Sequence, residues 1–187
     1  AWLTQKETFQ RMKLYNSWMP HIHVDYHEQA FDEPYYFAPA ARPYHNQITS
    51  WQRELQKIIG KNHSRYFDKN NWLYFTKEHF DLLYPGYGDT YPIYNGAIGM
   101  TYEKAGGGAG GISVATSDGD TLTLQSRIKH HHITGLSTVE SAYKHKDRII
   151  KEFKYFFKKG LDNPISKYKT FVSKAELNDP KIEDLLR

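Results

Sequence analysis

Apolar and polar positions along this chain change period several times, and each change marks an element. Phe9, Met12, Leu14, Tyr15 and Trp18 recur at roughly helical spacing. Thr4 and Glu7 stand at capping-box distance, and Pro20 ends the pattern. From His21 the period drops to two. Ile22, Val24 and Tyr26 alternate with His21, His23, Asp25 and His27, which predicts a strand with one apolar face and one face of imidazoles and a carboxylate. Ala30 to Pro43 carries Pro34, Pro39 and Pro43 among aromatic residues and reads as an irregular rim. Helical spacing returns after Thr49, which forms a second capping box with Gln52. Trp51, Leu55, Ile58 and Ile59 make its buried stripe, Gly60 bends or ends it, and Tyr66 and Phe67 continue the same face.

The second half alternates loops and elements in the same way. A short helix is expected over Lys77 to Leu83, then a loop rich in tyrosine, proline and glycine from Tyr84 to Gly96. Ala97 to Glu103 is an apolar run that predicts a buried strand ending in a carboxylate. Lys104 to Gly111 is a glycine-rich loop, and Thr116 to Gly119 a turn between two short strands. From Leu124 to Lys159 the chain is helical, with Ser137 and Glu140 as an internal cap and Gly160 as the stop. Ile149, Ile150, Phe153, Phe156 and Phe157 form its stripe. Beyond Pro164, Lys167 to Ser173 reads as a strand and Asp179 to Arg187 as the start of a helix. Residues 161–187 are therefore expected to be a linker and the beginning of a following module, and residues 1–160 the main domain. The opening Ala1-Trp2-Leu3, with no Met and no charged-then-apolar leader, reads as a cut inside a longer protein.

Composition narrows the chemistry. With no cysteine, disulfides and thiolate metal sites are excluded, so a metal would need His and carboxylate ligands. A net charge of +4, scattered along the chain, does not suggest nucleic acid. The lysines from Lys144 to Lys159 fit the solvated side of an amphipathic helix better than a membrane or RNA surface. No run approaches the about 18 apolar residues of a membrane span. Fifteen tyrosines suit a wet cleft or recognition surface.

Two strand ends carry the candidate chemistry. His27 can ligate zinc, and Glu103, between an apolar strand and a flexible loop, can act as a general base. The alternative for both is a satisfied polar group on an exposed face, and the sequence leaves it open for the histidines. His130, His131 and His132 are consecutive on a helix, about 100° apart, and cannot converge on one ion. Gly106 to Gly111 resembles a phosphate loop in composition only, since no Gly-Lys-Ser/Thr follows.

These motifs, in this order, resemble a known family. His23-Val-Asp-Tyr-His27-Glu-Gln, Pro34-Tyr-Tyr-Phe-Ala-Pro39, Tyr87-Gly-Asp-Thr-Tyr-Pro and Gly96-Ala-Ile-Gly-Met-Thr-Tyr-Glu103 look like the C-terminal half of a zinc carboxypeptidase. The likeness covers about residues 1–159 and is nearest to the larger bacterial members, which carry further modules. It implies a three-layer α/β/α sandwich around a mixed sheet, a peptide or protein substrate, and export to the periplasm or the extracellular space. On the matching positions it implies that His27 is the third zinc ligand and Glu103 the catalytic glutamate. Tyr84, with Tyr87 in reserve, is the tyrosine that helps bind substrate. Asp25 would orient the His27 imidazole, and Asp89 would contact a basic or polar substrate side chain. The family's first two ligands form a His-x-x-Glu motif upstream, with the arginines that hold the substrate's terminal carboxylate, and no His-x-x-Glu occurs in these 187 residues. The expectation is therefore half of an active site: inactive alone, with a sheet edge meant for the upstream half. The other expectation is a binding domain of the same fold that keeps a tyrosine-rich cleft for peptide or cell-wall recognition without catalysis.

Overall fold

The two longest strands, β1 (Ile22–Gln29) and β6 (Ile98–Ala105), lie side by side and parallel, with Ile22 opposite Ile98 and Gln29 opposite Ala105. In the computed structural model, which describes residues 5–108, 110–162, 168 and 170, they belong to a four-stranded sheet. Its order is β1-β6-β2-β4, where β2 is Tyr35–Tyr36 and β4 is Tyr74–Phe75. β2 runs antiparallel to β6 and parallel to β4, so the sheet is mixed, and the fold around it is mixed α/β. β1 is an edge strand: among the described residues its only partner in the sheet is β6.

Alternation along β6 sends its even-numbered side chains to a dry face. Ile98, Met100 and Tyr102 are buried there with Leu55, Ile59 and Phe67 of helix α2 (Ser50–Lys69) and Ile149 of helix α4 (Leu124–Asp162). α2 starts at the predicted capping box: the Thr49 amide donates to Gln52 Oε1 at 2.9 Å and the Gln52 amide to Thr49 Oγ1 at 3.2 Å. Gln52 Nε2 also donates to the carbonyls of Ile93 and Ala97, so one side chain both caps α2 and fixes the entry to β6. Gly60 does not stop the helix, which runs on to Lys69. Glycine is needed there because a Cβ would stand 2.1 Å from the Ala38 carbonyl oxygen.

On the other face lie α1 (Lys6–Trp18) and the short α3 (Thr90–Tyr94). Tyr15 of α1 meets His23 edge-on at 5.7 Å, and Gly99 of β6 touches Asp89 and Ile93. α1 begins after Gln5 with no side-chain cap, and Thr4 lies outside the described residues. Its stripe is only partly used: Met12 and Tyr15 are half-buried, whereas Phe9, Leu14 and Trp18 are exposed.

Several expectations are corrected. The 77–83 segment is not a helix. Lys77 (φ 67°) and Phe80 (φ 57°) are left-handed, and Asp81–Leu82 forms strand β5, parallel to β3 (Ala41–Tyr44) in a separate two-stranded sheet. The 30–43 rim thus contains β2 and β3, and the 84–96 loop contains α3. α4 continues past Gly160 to Asp162. Ser137 and Glu140 do not cap it internally but bond across to α2. His21 does not share the face of His23, because it precedes the strand and its ring packs 4.2 Å from Phe153 of α4. His130 packs on Trp72 at 4.3 Å, and His131 Nδ1 hydrogen-bonds the Tyr35 hydroxyl. The two short strands around residues 116–119 form as expected, as the antiparallel pair β7 (Ser113–Ala115) and β8 (Thr121–Thr123). The strand and helix anticipated after Pro164 lie outside the described residues. Among the described residues, no helix is long and apolar enough to cross a membrane.

Candidate active site

Parallel pairing in register brings equivalent positions of β1 and β6 together. His27 stands opposite Glu103, Asp25 opposite Thr101, and His23 opposite Gly99. All six are odd-numbered and face away from the α2–α4 core. Two glycines then let the loop before β6 lie directly on the strands. A Cβ on Gly99 would stand 1.8 Å from the Asp89 carbonyl oxygen, and one on Gly88 would stand 2.0 Å from Asp25 Oδ2. This close approach brings Tyr87 and Asp89 over the strand ends. The result is a cleft of about 330 Å³ whose walls include Asp25, His27, Tyr87, Asp89, Thr101 and Glu103.

The cleft crowds acids around one base. Asp25 Oδ2 lies 2.8 Å from His27 Nε2. Burial pulls the imidazole's pKa down, but the Asp25 hydrogen bond and the charges of Asp25, Glu103 and Asp89 outweigh it, so the pKa is raised. The Asp89 carboxyl is buried and accepts a hydrogen bond from Thr101 Oγ1 at 3.0 Å. Desolvation pushes it up to about 6 despite that bond. Glu103 is 6 % exposed, and no hydrogen bond reaches its carboxylate among the described residues. Burial, reinforced by Asp25 and Asp89 and opposed by His27, pushes it up to about 7. A carboxyl that exchanges its proton near neutral pH beside an imidazole held by an acid is suited to general acid–base work.

The structure brings five of the six candidate residues to one cleft: Asp25, His27, Tyr87, Asp89 and Glu103. Tyr84 stands outside the lining, its ring edge-on to that of Tyr87 at 5.2 Å and its carbonyl accepting from Thr90 Oγ1. Phe80, Asp81 and Thr101 also line the cleft. Thr101 was legible by strand alternation, two positions before Glu103. Phe80 and Asp81 had no such signal, because they arrive on a segment that reads as a helix. For zinc, Asp25 on Nε2 leaves the Nδ1 atom of His27 as the ligating nitrogen, the usual arrangement of a carboxylate behind a metal-bound imidazole. The fit is that of a single ligand. Among the described residues, no three His, Cys, Asp or Glu side chains are placed to hold a metal ion together. No protein-family model, no curated protein and no solved structure matches the chain.

Proposed function

We propose that this chain is the C-terminal part of an exported zinc-dependent carboxypeptidase that hydrolyses C-terminal peptide bonds, with His27 as one metal ligand and Glu103 as general base. The observation that supports it best is the β1–β6 register, which sets His27 beside Glu103 at the carboxyl ends of two parallel strands. On this reading α1 and α3 on one face and α2 and α4 on the other are layers of an α/β/α sandwich. The free edge of β1 would receive the strand that delivers the His-x-x-Glu ligands from the upstream half.

Zinc, when bound, supplies a lowered water pKa of about 7 and polarises the scissile carbonyl. This chain's residues do the rest. Asp25 holds the Nε2 proton of His27 and so fixes the ring's orientation. Glu103, with its carboxyl near 7, takes a proton from the attacking water and returns it to the leaving amine. Tyr87, half-exposed at the rim, closes over the peptide, and Asp89 beneath it faces a basic or polar side chain.

Two measurements test this. Calorimetric titration of the chain alone with zinc should give weak, non-stoichiometric binding; one tight site per chain abolished by His27→Ala would overturn the half-site reading. The polypeptide encoded with the sequence preceding Ala1 should then release C-terminal residues from peptides in a chelator-sensitive manner. A preceding sequence without His-x-x-Glu would overturn the reading. Peptide binding without turnover would establish the non-catalytic binding domain in its place.

A further inference from the structure

Helix α4 is inverted relative to an ordinary amphipathic helix. Its inner side buries Arg127, His130, Thr134, Ser137, Thr138 and Ser141, and among the described residues of α4 Ile149 is the one buried aliphatic side chain. Its outer side presents Ile128, Leu136, Val139, Tyr143, Ile150 and Phe157, which range from 40 % exposed at Phe157 to 71 % at Tyr143, and ends at the exposed Leu161. At about 100° per residue these positions fall along one line, roughly opposite the buried set. The helical spacing that predicts a single buried stripe therefore misplaces Ile150 and Phe157. An apolar line of this length turned away from the core calls for a partner.

The spacing along the line names the kind of partner. Leu136, Tyr143, Ile150 and Phe157 recur every seven residues, and Val139, Lys146 and Phe153 each follow three positions later. These are the a and d positions of a heptad seam, along which one long helix packs on another. Lys146 is the one polar residue among them. Its ammonium lies 4.5 Å from the centroid of the Tyr143 ring. Phe153 is half-buried, packed against His21.

We infer that this outer line of α4 docks a second copy of the chain, the two α4 helices packing antiparallel about a two-fold axis between Lys144 and His145. Turned end for end about that axis, the line complements itself. Ile128 meets Leu161 of the second copy, Leu136 meets Phe153, and Val139 meets Ile150. Lys146 falls beside the axis, against Tyr143 of the second copy, the same cation and ring that already associate within one chain. A single polar layer of this kind fixes register. Parallel packing would instead set Lys146 against Lys146. The antiparallel arrangement holds Lys154 of the two copies roughly 30 Å apart, beyond the Debye length at physiological salt. A seam about 50 Å long is enough to reach the roughly 1,200 Å² at which specific interfaces begin. The free edge of β1, given above to the upstream half, takes no part. Neither zinc nor Glu103 enters the contact or its test, so its failure would leave the proposed function where it stands.

The chain has no cysteine, so crosslinking reads the register directly. Chains with Val139→Cys and chains with Ile150→Cys, mixed and mildly oxidised, should give a disulfide-linked dimer. Each variant alone should give little, because identical positions lie about 16 Å apart along the seam, past the roughly 7 Å reach of a disulfide. Sedimentation equilibrium should find the unmodified chain dimeric at micromolar concentration. Val139→Glu combined with Ile150→Glu, both at exposed positions, should raise the dissociation constant more than about a hundredfold while circular dichroism stays unchanged. If that variant fails to fold, the crosslinking pattern still decides. Each variant crosslinking to itself as readily as to the other would overturn the inference, as would association that survives the double substitution through β1 or another face. A monomeric chain would overturn it too, and if that monomer sedimented with phosphatidylglycerol vesicles the line would belong to a lipid surface instead.

Discussion

Two polar clusters flank the sheet, and they are wired in opposite ways. Between α2 and α4, Glu140 accepts hydrogen bonds from Lys144 at 2.6 Å, Asn62 at 2.8 Å, Tyr66 at 2.9 Å and Arg65 at 3.0 Å. These donors, Lys144 foremost, hold its carboxyl well below the usual carboxylate range. Beside it, His63 Nδ1 lies 2.7 Å from Ser137 Oγ, and burial pushes the imidazole down to about 3, so it is neutral at pH 7. Across the sheet, Asp25, Asp89 and Glu103 share one imidazole, and the two buried carboxyls are pushed up rather than down. A cluster in which every charge meets its complement joins two helices. A cluster that crowds like charges at a cavity keeps protons ready to move. Both contain histidine and glutamate, so composition does not tell them apart; complementarity does.

That contrast can be broken most sharply at Glu103. On the proposed reading, Glu103→Gln in a polypeptide extended upstream to include a His-x-x-Glu motif should lower kcat by more than about a hundredfold, the usual scale of a lost general base, while metal content by elemental analysis stays near wild type. Near-normal turnover would remove Glu103 from the mechanism. The structural cluster should respond only in stability. Ser137→Ala strips the bond from buried His63 and should cost about 1–3 kcal/mol in a denaturant titration, with the midpoints of the cleft carboxyls unmoved. Movement of those midpoints would mean that the two clusters are coupled through the sheet.

A smaller effect has opposite signs in the two clusters. Glu103 binds its proton more tightly when folded, at about 7 against 4.5, so its ionised form opposes folding. The penalty is complete above pH 7 and vanishes below 4.5. Glu103→Gln should therefore stabilise the chain at pH 8 by about 1–2 kcal/mol, with solvent screening in the open cleft allowed for, and be neutral at pH 4. Glu140 is the reverse. Its depressed pKa contributes stability that is present above the unfolded value and lost as pH falls below it, so Glu140→Gln should destabilise at pH 7 and converge with wild type in acid. Thermal melts at the two pH values check both signs. The smallest effect is a titration shift. Asp25→Asn removes the bond that offsets burial at His27, so the imidazole midpoint, followed by NMR, should fall. An unmoved midpoint would show that Asp25 does not hold that ring.

What could be read from the sequence was periodic. The capping box at Thr49, the α2 stripe, the β6 run and the hairpin around Asp118-Gly119 each repeat a local rule, and local rules act between residues a few positions apart. Misreadings came where distant segments overrule them. Gly60 reads as a bend or an end of α2, yet the helix runs through it to Lys69, and it is the residue that lets α2 approach Ala38. Ser137 and Glu140 read as a cap, yet their partners are on α2, more than seventy positions away. The 77–83 segment is paired into a sheet with residues from β3.

By itself, then, the chain determined which residues could carry chemistry: a strand ending in His27, another ending in Glu103, and a tyrosine-rich loop between them. Tertiary structure alone decided that those strands run parallel and in register, that Gly88 and Gly99 let the loop settle on them, and that Tyr87 rather than Tyr84 reaches the cleft. It alone set the raised proton affinities of Asp89 and Glu103, because desolvation and crowding of like charge depend on which groups share a cavity, and side-chain alternation within one strand says nothing of the neighbour it will meet.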